Sequence, residues 1–319
     1  MARIVTLTLS PTIDTSNEVD HVVAERKLRC DEPTHEPGGG GVNVARALRR
    51  FGVDPVAVFT AGGPTGEQLI QLVRDEDVSI HPVPIAGQTR ENFTVRETAT
   101  TLQYRFCMPG PRIENDEWQA VLDVLRSMDP PPDYLVASGS LPPGLPEDAY
   151  AVVARIACER GTRMMLDTSG PPLRAAIDAG LFLIKPNLSE LAWLEGAEWI
   201  ADGDQLNEAA TRLVTEHDCQ AVVVSLGAGG ALAVSGDEMA RISAPTVRPE
   251  SKVGAGDSMV AGIIWGLEQG KSVLEAASLG VAAGAAAVMT PGSDLCRRDD
   301  TERLYEQMIQ YPQPLAPIS

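Results

Sequence analysis

Four stretches of the sequence join bare, glycine-rich backbone to side chains suited to phosphate chemistry. Val253-Gly254-Ala255-Gly256-Asp257-Ser258-Met259 opens a helical pattern over Ser258–Gln269. At a helix start the free N–H groups of Gly254 to Asp257 would form an anion hole, and Asp257 would be a carboxylate aimed into it. Such a carboxylate can accept a hydroxyl proton during phosphoryl transfer; an ordinary helix cap is the competing reading. Pro37-Gly38-Gly39-Gly40-Gly41-Val42-Asn43-Val44-Ala45-Arg46 carries four consecutive glycines into an amphipathic helix, so a ligand could approach backbone and helix N–H groups directly. It is not a dinucleotide fingerprint, because Asn43 stands where the last glycine of that motif belongs. In Lys185-Pro186-Asn187-Leu188-Ser189-Glu190, Asn187 and Glu190 share one side of a first helical turn. They could hold a hydrated Mg²⁺ with phosphate oxygens, or simply cap the helix. Ser225-Leu226-Gly227-Ala228-Gly229-Gly230 could face a nucleotide or turn a hairpin. Gly270-Lys271-Ser272 imitates the end of a phosphate-binding P-loop, but Trp265 occupies the place of its first glycine and no strand precedes it.

These motifs need a scaffold, and the hydrophobic pattern supplies one. Short apolar runs at Ile4–Leu9, Val56–Thr60, Tyr134–Ser138, Met164–Asp167, Phe182–Lys185 and Ala221–Ser225 read as strands, with Ala231–Val234 as a hairpin partner. Apolar residues at three- and four-residue spacing predict helices over Val42–Phe51, Glu67–Arg74, Glu117–Ser127, Glu147–Arg160, Gln205–Glu216 and Ser258–Gln269. The alternation predicts an α/β fold with a mostly parallel sheet. Asn17–Glu36 and Arg90–Met108 break the rhythm with β-rich runs and no helical pattern, so they are expected to form a small β lid outside the main sheet. With no repeat or linker, one domain over residues 1–319 is expected, its lid built from about 15–36 and 90–108. Pro312–Pro317 reads as a frayed tail.

Composition narrows the function. The chain has 319 residues, 44% of them apolar, and 44 Asp and Glu against 26 Lys and Arg, a formal charge of −18. Such an acidic surface repels nucleic-acid backbones and anionic membranes, so neither is an expected partner, and a small anionic substrate requires a locally positive pocket. The first residues have no apolar core of export length, which predicts a cytoplasmic protein. Val273–Met289 is rich in Ala and Gly and carries Glu275, so it reads as a buried helix rather than a bilayer span. The five cysteines are scattered without a CxxC pair and the four histidines are equally dispersed, so no disulfide framework or transition-metal site is expected.

The glycine run, Lys-x-Asn-x-x-Glu and Gly-Ala-Gly-Asp occur in that order, each at a strand-to-helix junction. Together with Thr6-Leu7-Thr8-Leu9, Lys27-Leu28-Arg29-Cys30, Tyr104-Arg105-Phe106 and Ser138-Gly139-Ser140-Leu141-Pro142-Pro143-Gly144, they make the chain resemble the ribokinase-like family of carbohydrate kinases from about Arg3 to Leu304. The resemblance implies helices on both faces of the central sheet and a lid that joins two subunits into a homodimer. It implies transfer of the ATP γ-phosphoryl to O1 of fructose 6-phosphate, with tagatose 6-phosphate or fructose 1-phosphate as alternative substrates. A non-catalytic regulator that binds nucleotide or sugar phosphate is the reading from another class, and Asp257 argues against it.

Residue by residue, the resemblance makes Asp257 the base and gives the transferring phosphoryl to the backbone of Gly254, Ala255 and Gly256. Asn187 and Glu190 are implied at Mg²⁺, partly through water, and Lys185, Ser225, Gly227 and Gly230 at ATP. Asp14, Gly38, Gly39, Asn43 and Ser140 are implied at the sugar hydroxyls. Arg90, Arg105 and Lys27 are implied at the 6-phosphate, Lys27 coming from the neighbouring subunit. The cationic residues of the lid segments fit a phosphosugar site on an otherwise acidic protein. Relatives that use fructose 1-phosphate or tagatose 6-phosphate commonly place Lys in the glycine run where this chain has Gly40, which favours fructose 6-phosphate. Many relatives have Asn-Pro where Ser10-Pro11 stands, and near the monovalent-cation region Thr290 and Asp294 replace a common Asn and Arg. Ser251 and Val253 could still offer oxygens to K⁺.

Overall fold

The computed structural model describes residues 2–100, 102–290, 292 and 294–310, and the tail expected at Pro312–Pro317 lies outside the described residues. The chain begins β1 (Ile4–Thr8), β2 (Thr12–Val19), β3 (Thr34–Gly38), α1 (Gly40–Arg50), β4 (Val56–Ala61), α2 (Gly63–Asp75), β5 (Ser79–Pro84), β6 (Arg90–Glu97), β7 (Gln103–Phe106) and α3 (Asn115–Ser127). It continues β8 (Tyr134–Ser138), α4 (Ala149–Glu159), β9 (Arg163–Asp167), α5 (Pro171–Ala176), β10 (Leu181–Ile184), α6 (Leu188–Leu194), α7 (Asp204–Thr215) and β11 (Cys219–Ser225). The last elements are β12 (Ala231–Ser235), β13 (Glu238–Ile242), α8 (Ala255–Glu268), α9 (Val273–Val288) and α10 (Arg298–Gln310).

Nine strands form the main sheet in the order β13-β12-β11-β10-β9-β8-β1-β4-β5. The strands from β11 to β5 are parallel, and β12 and β13 add an antiparallel edge. A parallel sheet must be covered on both faces. Residues alternate between those faces: Val5 and Leu7 of β1 pack with Trp118 of α3, Tyr150 of α4 and Leu213 of α7. Ile4 faces the other way, into a core with Leu48 of α1, Ile263 of α8 and Ala282 of α9. Burying β1 on both sides leaves Thr6 and Thr8 no more than 1% exposed. Helices α8 and α9 pack through small residues; a Cβ at Gly262 would lie 2.7 Å from Ala283 Cβ. The Ala-rich run read as a buried helix is α9, and no helix among the described residues is long and apolar enough to cross a membrane. Ser272 and Glu275 form its capping box, so Gly270-Lys271-Ser272 is the turn into α9.

Four strands form a second sheet, ordered β3-β2-β6-β7, from the two segments that break the sequence rhythm. Strand β2 begins earlier than expected, at Thr12, because it is held by parallel pairing with β6 from Thr12↔Arg90 to Val19↔Glu97, a contact no local pattern reveals, while β6 begins at Arg90 as expected. Residues 20–33 form no strand, so Val22 and Val23, expected in one, are exposed in irregular chain. Met108 likewise falls past β7. Helices α1 and α8 start at Gly40 and Ala255, ahead of the predicted Val42 and Ser258, since glycine carries no apolar signal. Strand β5 escaped prediction because it contains Pro82 and Pro84, which an edge strand tolerates.

Candidate active site

A cleft of about 420 Å³ opens at the carboxyl ends of β1, β8 and β9, with the second sheet as its opposite wall. This is where ligands settle in open parallel sheets, beside the loops that leave the strands.

At its floor, Gly254 takes a left-handed conformation, φ 75°, that turns the chain into α8 and leaves the first N–H groups of the helix without intrahelical partners. Asp257 is the third residue of that helix and does not cap it. Its Oδ2 instead accepts a hydrogen bond of 2.8 Å from Asn43 Nδ2 on α1. Burial pushes its carboxyl up from 3.8 to about 7, with Asp167 and Asp14 adding to the rise and the Asn43 bond and Lys185 opposing it. A carboxyl at that value can take a proton near neutrality.

Glycine lets the floor and walls meet. A Cβ at Gly41 would lie 2.6 Å from both Leu7 O and Thr8 Oγ1, so α1 can lie this close to β1 only without a side chain there. A Cβ at Gly38 would fall 2.3 Å from Asp14 Oδ2. Gly39 lines the cleft directly.

The wall formed by β2, β6 and β7 carries Asp14, Asn92, Arg90 and Arg105. Asn92 Nδ2 donates to Asp14 Oδ1 at 3.0 Å. Burial raises the Asp14 pKa against the pull of Asn92, Arg105 and Arg90. Burial lowers that of Arg90, whose Nη1 and Nη2 donate to Met108 O and Ser10 O at 2.9 and 3.0 Å. Arg90 Nε is buried without a hydrogen-bond partner among the described residues, and an anion in the cleft would answer that orphan donor.

On the far side, Lys185 is buried with its Nζ 3.1 Å from Asp167 Oδ1. Burial pulls its pKa down, but Asp167, Glu190 and Asp257 outweigh this and leave it raised. A Cβ at Gly256 would stand 3.9 Å from Lys185 Nζ, which sets the amine beside the first turn of α8. Asn187 and Glu190 form the capping box of α6, each side chain accepting from the other's backbone N–H at 2.9 and 2.8 Å. Glu190 still faces the cleft, and burial raises its pKa. Ser225 pairs by a β-bridge with Asn187, and Gly227 to Gly230 make the turn between β11 and β12. A Cβ on Gly227 would meet nothing within 4 Å, whereas one on Gly230 would lie 1.9 Å from Ile242 O, so Gly230 serves the hairpin.

The cleft therefore gathers Asp14, Gly39, Asn43, Arg90, Arg105, Ser140, Glu190, Val253, Gly254 and Asp257 from the sequence reading. Gly38, Lys185, Ala255 and Gly256 adjoin it. Asn187, Ser225, Gly227 and Gly230 cluster at the neighbouring strand ends. Lys27 is not brought in; it is exposed within residues 20–33. Ser251 is buried with its hydroxyl on Gly292 O. Thr290 donates to Asp294 O at 2.8 Å, and Asp294 meets Arg50 at 2.6 Å, so both are engaged in the protein's own contacts. Sequence reasoning missed Asn92, Asp167, Thr168 and Lys252, all lining the cleft. Asp167 ends a predicted strand and Asn92 shares a strand face with Arg90, so strand position was the usable signal.

A doubly covered parallel sheet, a glycine run entering one helix and a carboxyl in the first turn of another define a class. The family model described as pfkB family carbohydrate kinase matches residues 7–300, and the chain belongs to this family. A Mycobacterium tuberculosis protein named ATP-dependent 6-phosphofructokinase isozyme 2 is 44% identical over 304 residues, covering 95% of this chain and 89% of its own. The Escherichia coli protein of that name is 40% identical over 306 residues, covering 96% and 98%. The E. coli phosphofructokinase-2 structure in complex with fructose 6-phosphate matches 97% of this chain and 100% of its own at 39% identity, with a TM-score of 0.91. Structures of the same enzyme with potassium and in a tetrameric inhibited form match at 40% identity, with TM-scores of 0.92 and 0.91 and the same coverage.

Proposed function

We propose that this chain transfers the γ-phosphoryl of ATP to O1 of fructose 6-phosphate. The observation that carries it is Asp257, held at the N-terminal turn of α8 with a pKa of about 7, in one cleft with Arg90 and Arg105. The names of the relatives support the choice of substrate. In this reading Arg90 and Arg105 take the 6-phosphate, while Asp14, Asn43, Ser140 and the backbone of Gly38 and Gly39 orient the sugar. Asp257 accepts the proton of the C1 hydroxyl as O1 bonds to the γ-phosphorus and the bond to the β-phosphate oxygen breaks, releasing ADP. The N–H groups of Gly254, Ala255 and Gly256 meet the charge that builds on the transferring group. Lys252 adds a cation on the same side.

Lys185, Ser225 and Gly227 would bound the nucleotide, with Gly230 closing the turn that presents Gly227 to it. The hard oxygen donors of Asn187 and Glu190 suit Mg²⁺, which they would hold partly through water, and the ion supplies neutralising charge to the phosphates. Ser251 and Val253 are assigned to a monovalent cation, in keeping with the potassium complex of the E. coli relative. The second sheet acts as a lid that excludes water from the cleft. Its exposed Phe93, Tyr104 and Phe106 form the contact of a homodimer that brings in Lys27. The reading places the enzyme in the cytoplasm.

The test is ADP release from MgATP with fructose 6-phosphate, fructose 1-phosphate, tagatose 6-phosphate or no sugar. The expected result is the highest kcat/KM on fructose 6-phosphate and little ADP in the blank. Preference for another sugar overturns the substrate, and no turnover with any overturns the enzyme.

A further inference from the structure

Arg46 lies on α1, one helical turn beyond Asn43, and is only 2% exposed. All three of its guanidinium nitrogens are engaged. Nε and Nη2 meet Glu76 at 2.7 and 2.6 Å, Nη2 also lies 3.7 Å from Glu36, and Nη1 donates to Pro37 O at 2.7 Å and Asn43 Oδ1 at 3.2 Å. Asn43 spends its other end, Nδ2, on Asp257.

From this chain of contacts we propose that Arg46 is a positioning residue for Asp257, acting through the amide of Asn43. An amide has one accepting end and one donating end. Against an ionised Asp257 only Nδ2 is useful, but a protonated Asp257 could donate to Oδ1 of a flipped amide. The guanidinium forbids the flip, because it would then face an NH₂ group with nothing to accept its proton. Arg46 thereby denies the O–H of the protonated acid an acceptor and keeps Nδ2 as the donor, whose bond is stronger to the carboxylate, the form a base requires. Through Pro37 O and Glu36 it also ties this arrangement to β3 of the second sheet.

The charged groups around the base are Asp14, Asp167 and Lys185, with Glu190, Lys252, Arg90 and Arg105 along the same cleft. Around Arg46 they are Glu36 and Glu76, the latter also 3.9 Å from Arg50. None of these replaces the Arg46 contact to Asn43 Oδ1.

The inference rests on the phosphoryl-transfer reading, and the experiment separates the two. The kcat–pH profile is measured for the wild type, Arg46→Met, Arg46→Lys and Glu76→Gln; the titrations of ATP and sugar phosphate are common to all and cancel in the comparison. For Arg46→Met the acid limb is expected to move up by about one pH unit, the scale of one hydrogen bond to a charged group. Arg46→Lys, which keeps the charge beside Glu76 and folds if Met does not, is expected to shift part of the way. Glu76→Gln loosens the ion pair but not the Asn43 contact, so it should lower Tm and leave the limb in place. If an active wild type is matched by Arg46 variants that lose only Tm or amplitude with an unmoved limb, Arg46 is merely structural and the inference falls. If the wild type itself turns nothing over, the reading beneath it falls.

Discussion

Asp257 sits where two requirements conflict, since a base must be ionised to act while burial favours its neutral form. Its pKa of about 7 predicts that kcat/KM for the sugar rises with pH along a limb centred near that value. Asp257→Asn should lower kcat by about 10³-fold and change KM little, because it removes the proton acceptor and little of the volume. The same substitution should stabilise the fold. A carboxyl raised in the folded state binds more protons there than in the unfolded chain between pH 3.8 and about 7, so stability falls as pH rises through that window. Removing the charge should therefore add about 4 kcal/mol at pH 8, shrinking towards pH 4, which urea unfolding of wild type and variant would show. A variant no more stable at pH 8 than the wild type would contradict the buried, raised carboxyl.

Helices α1 and α8 carry the two halves of the site, and glycine has a different task at the start of each. At Gly41 the space is filled by the backbone of β1, so Gly41→Ala should cost about 2–3 kcal/mol of stability by displacing α1, seen as an earlier urea midpoint. At Gly256 a methyl group meets only Lys185 Nζ at 3.9 Å, so the fold should tolerate Gly256→Ala. Because Gly256 belongs to the turn whose N–H groups are assigned to the phosphoryl, the added methyl should lower kcat by at least about tenfold with an unchanged midpoint. The reverse pattern, a destabilised but fully active Gly256→Ala, would reassign that turn to structure.

Across the whole molecule, a charge of −18 surrounds a cleft in which Arg90 and Arg105 stand together on one wall, the local pair of cations that an anionic substrate requires. The second sheet supplies both arginines and, on its exposed side, Phe93 and Phe106, 39% and 51% exposed. In the proposed homodimer these apolar side chains form the subunit contact. Phe106→Asp should halve the mass seen by light scattering and raise KM for the sugar, since Lys27 would no longer reach a neighbour's site. Lys27→Ala should raise KM alone and keep the mass. A monomeric wild type would remove both expectations together.

Most of this architecture was legible locally. The alternation of apolar runs with helical spacing identifies the parallel sheet, because strands buried on both faces and helices buried on one leave different periods. The motifs, at strand-to-helix junctions, single out Asp257, Glu190 and the glycines as candidates because these positions depend on residue type and spacing, whereas Asn43 enters as a candidate only through the family resemblance. What local pattern could not carry was pairing between distant segments. The parallel register of β2 with β6 decides that Asp14, Asn92 and Arg90 share a wall, the packing of α1 against α8 brings Asn43 to Asp257 across 214 residues of chain, and the meeting of α1 with the end of α2 gives Arg46 its partner Glu76. Each is a contact between residues far apart in sequence, whose energy appears only once the chain has closed the loop between them.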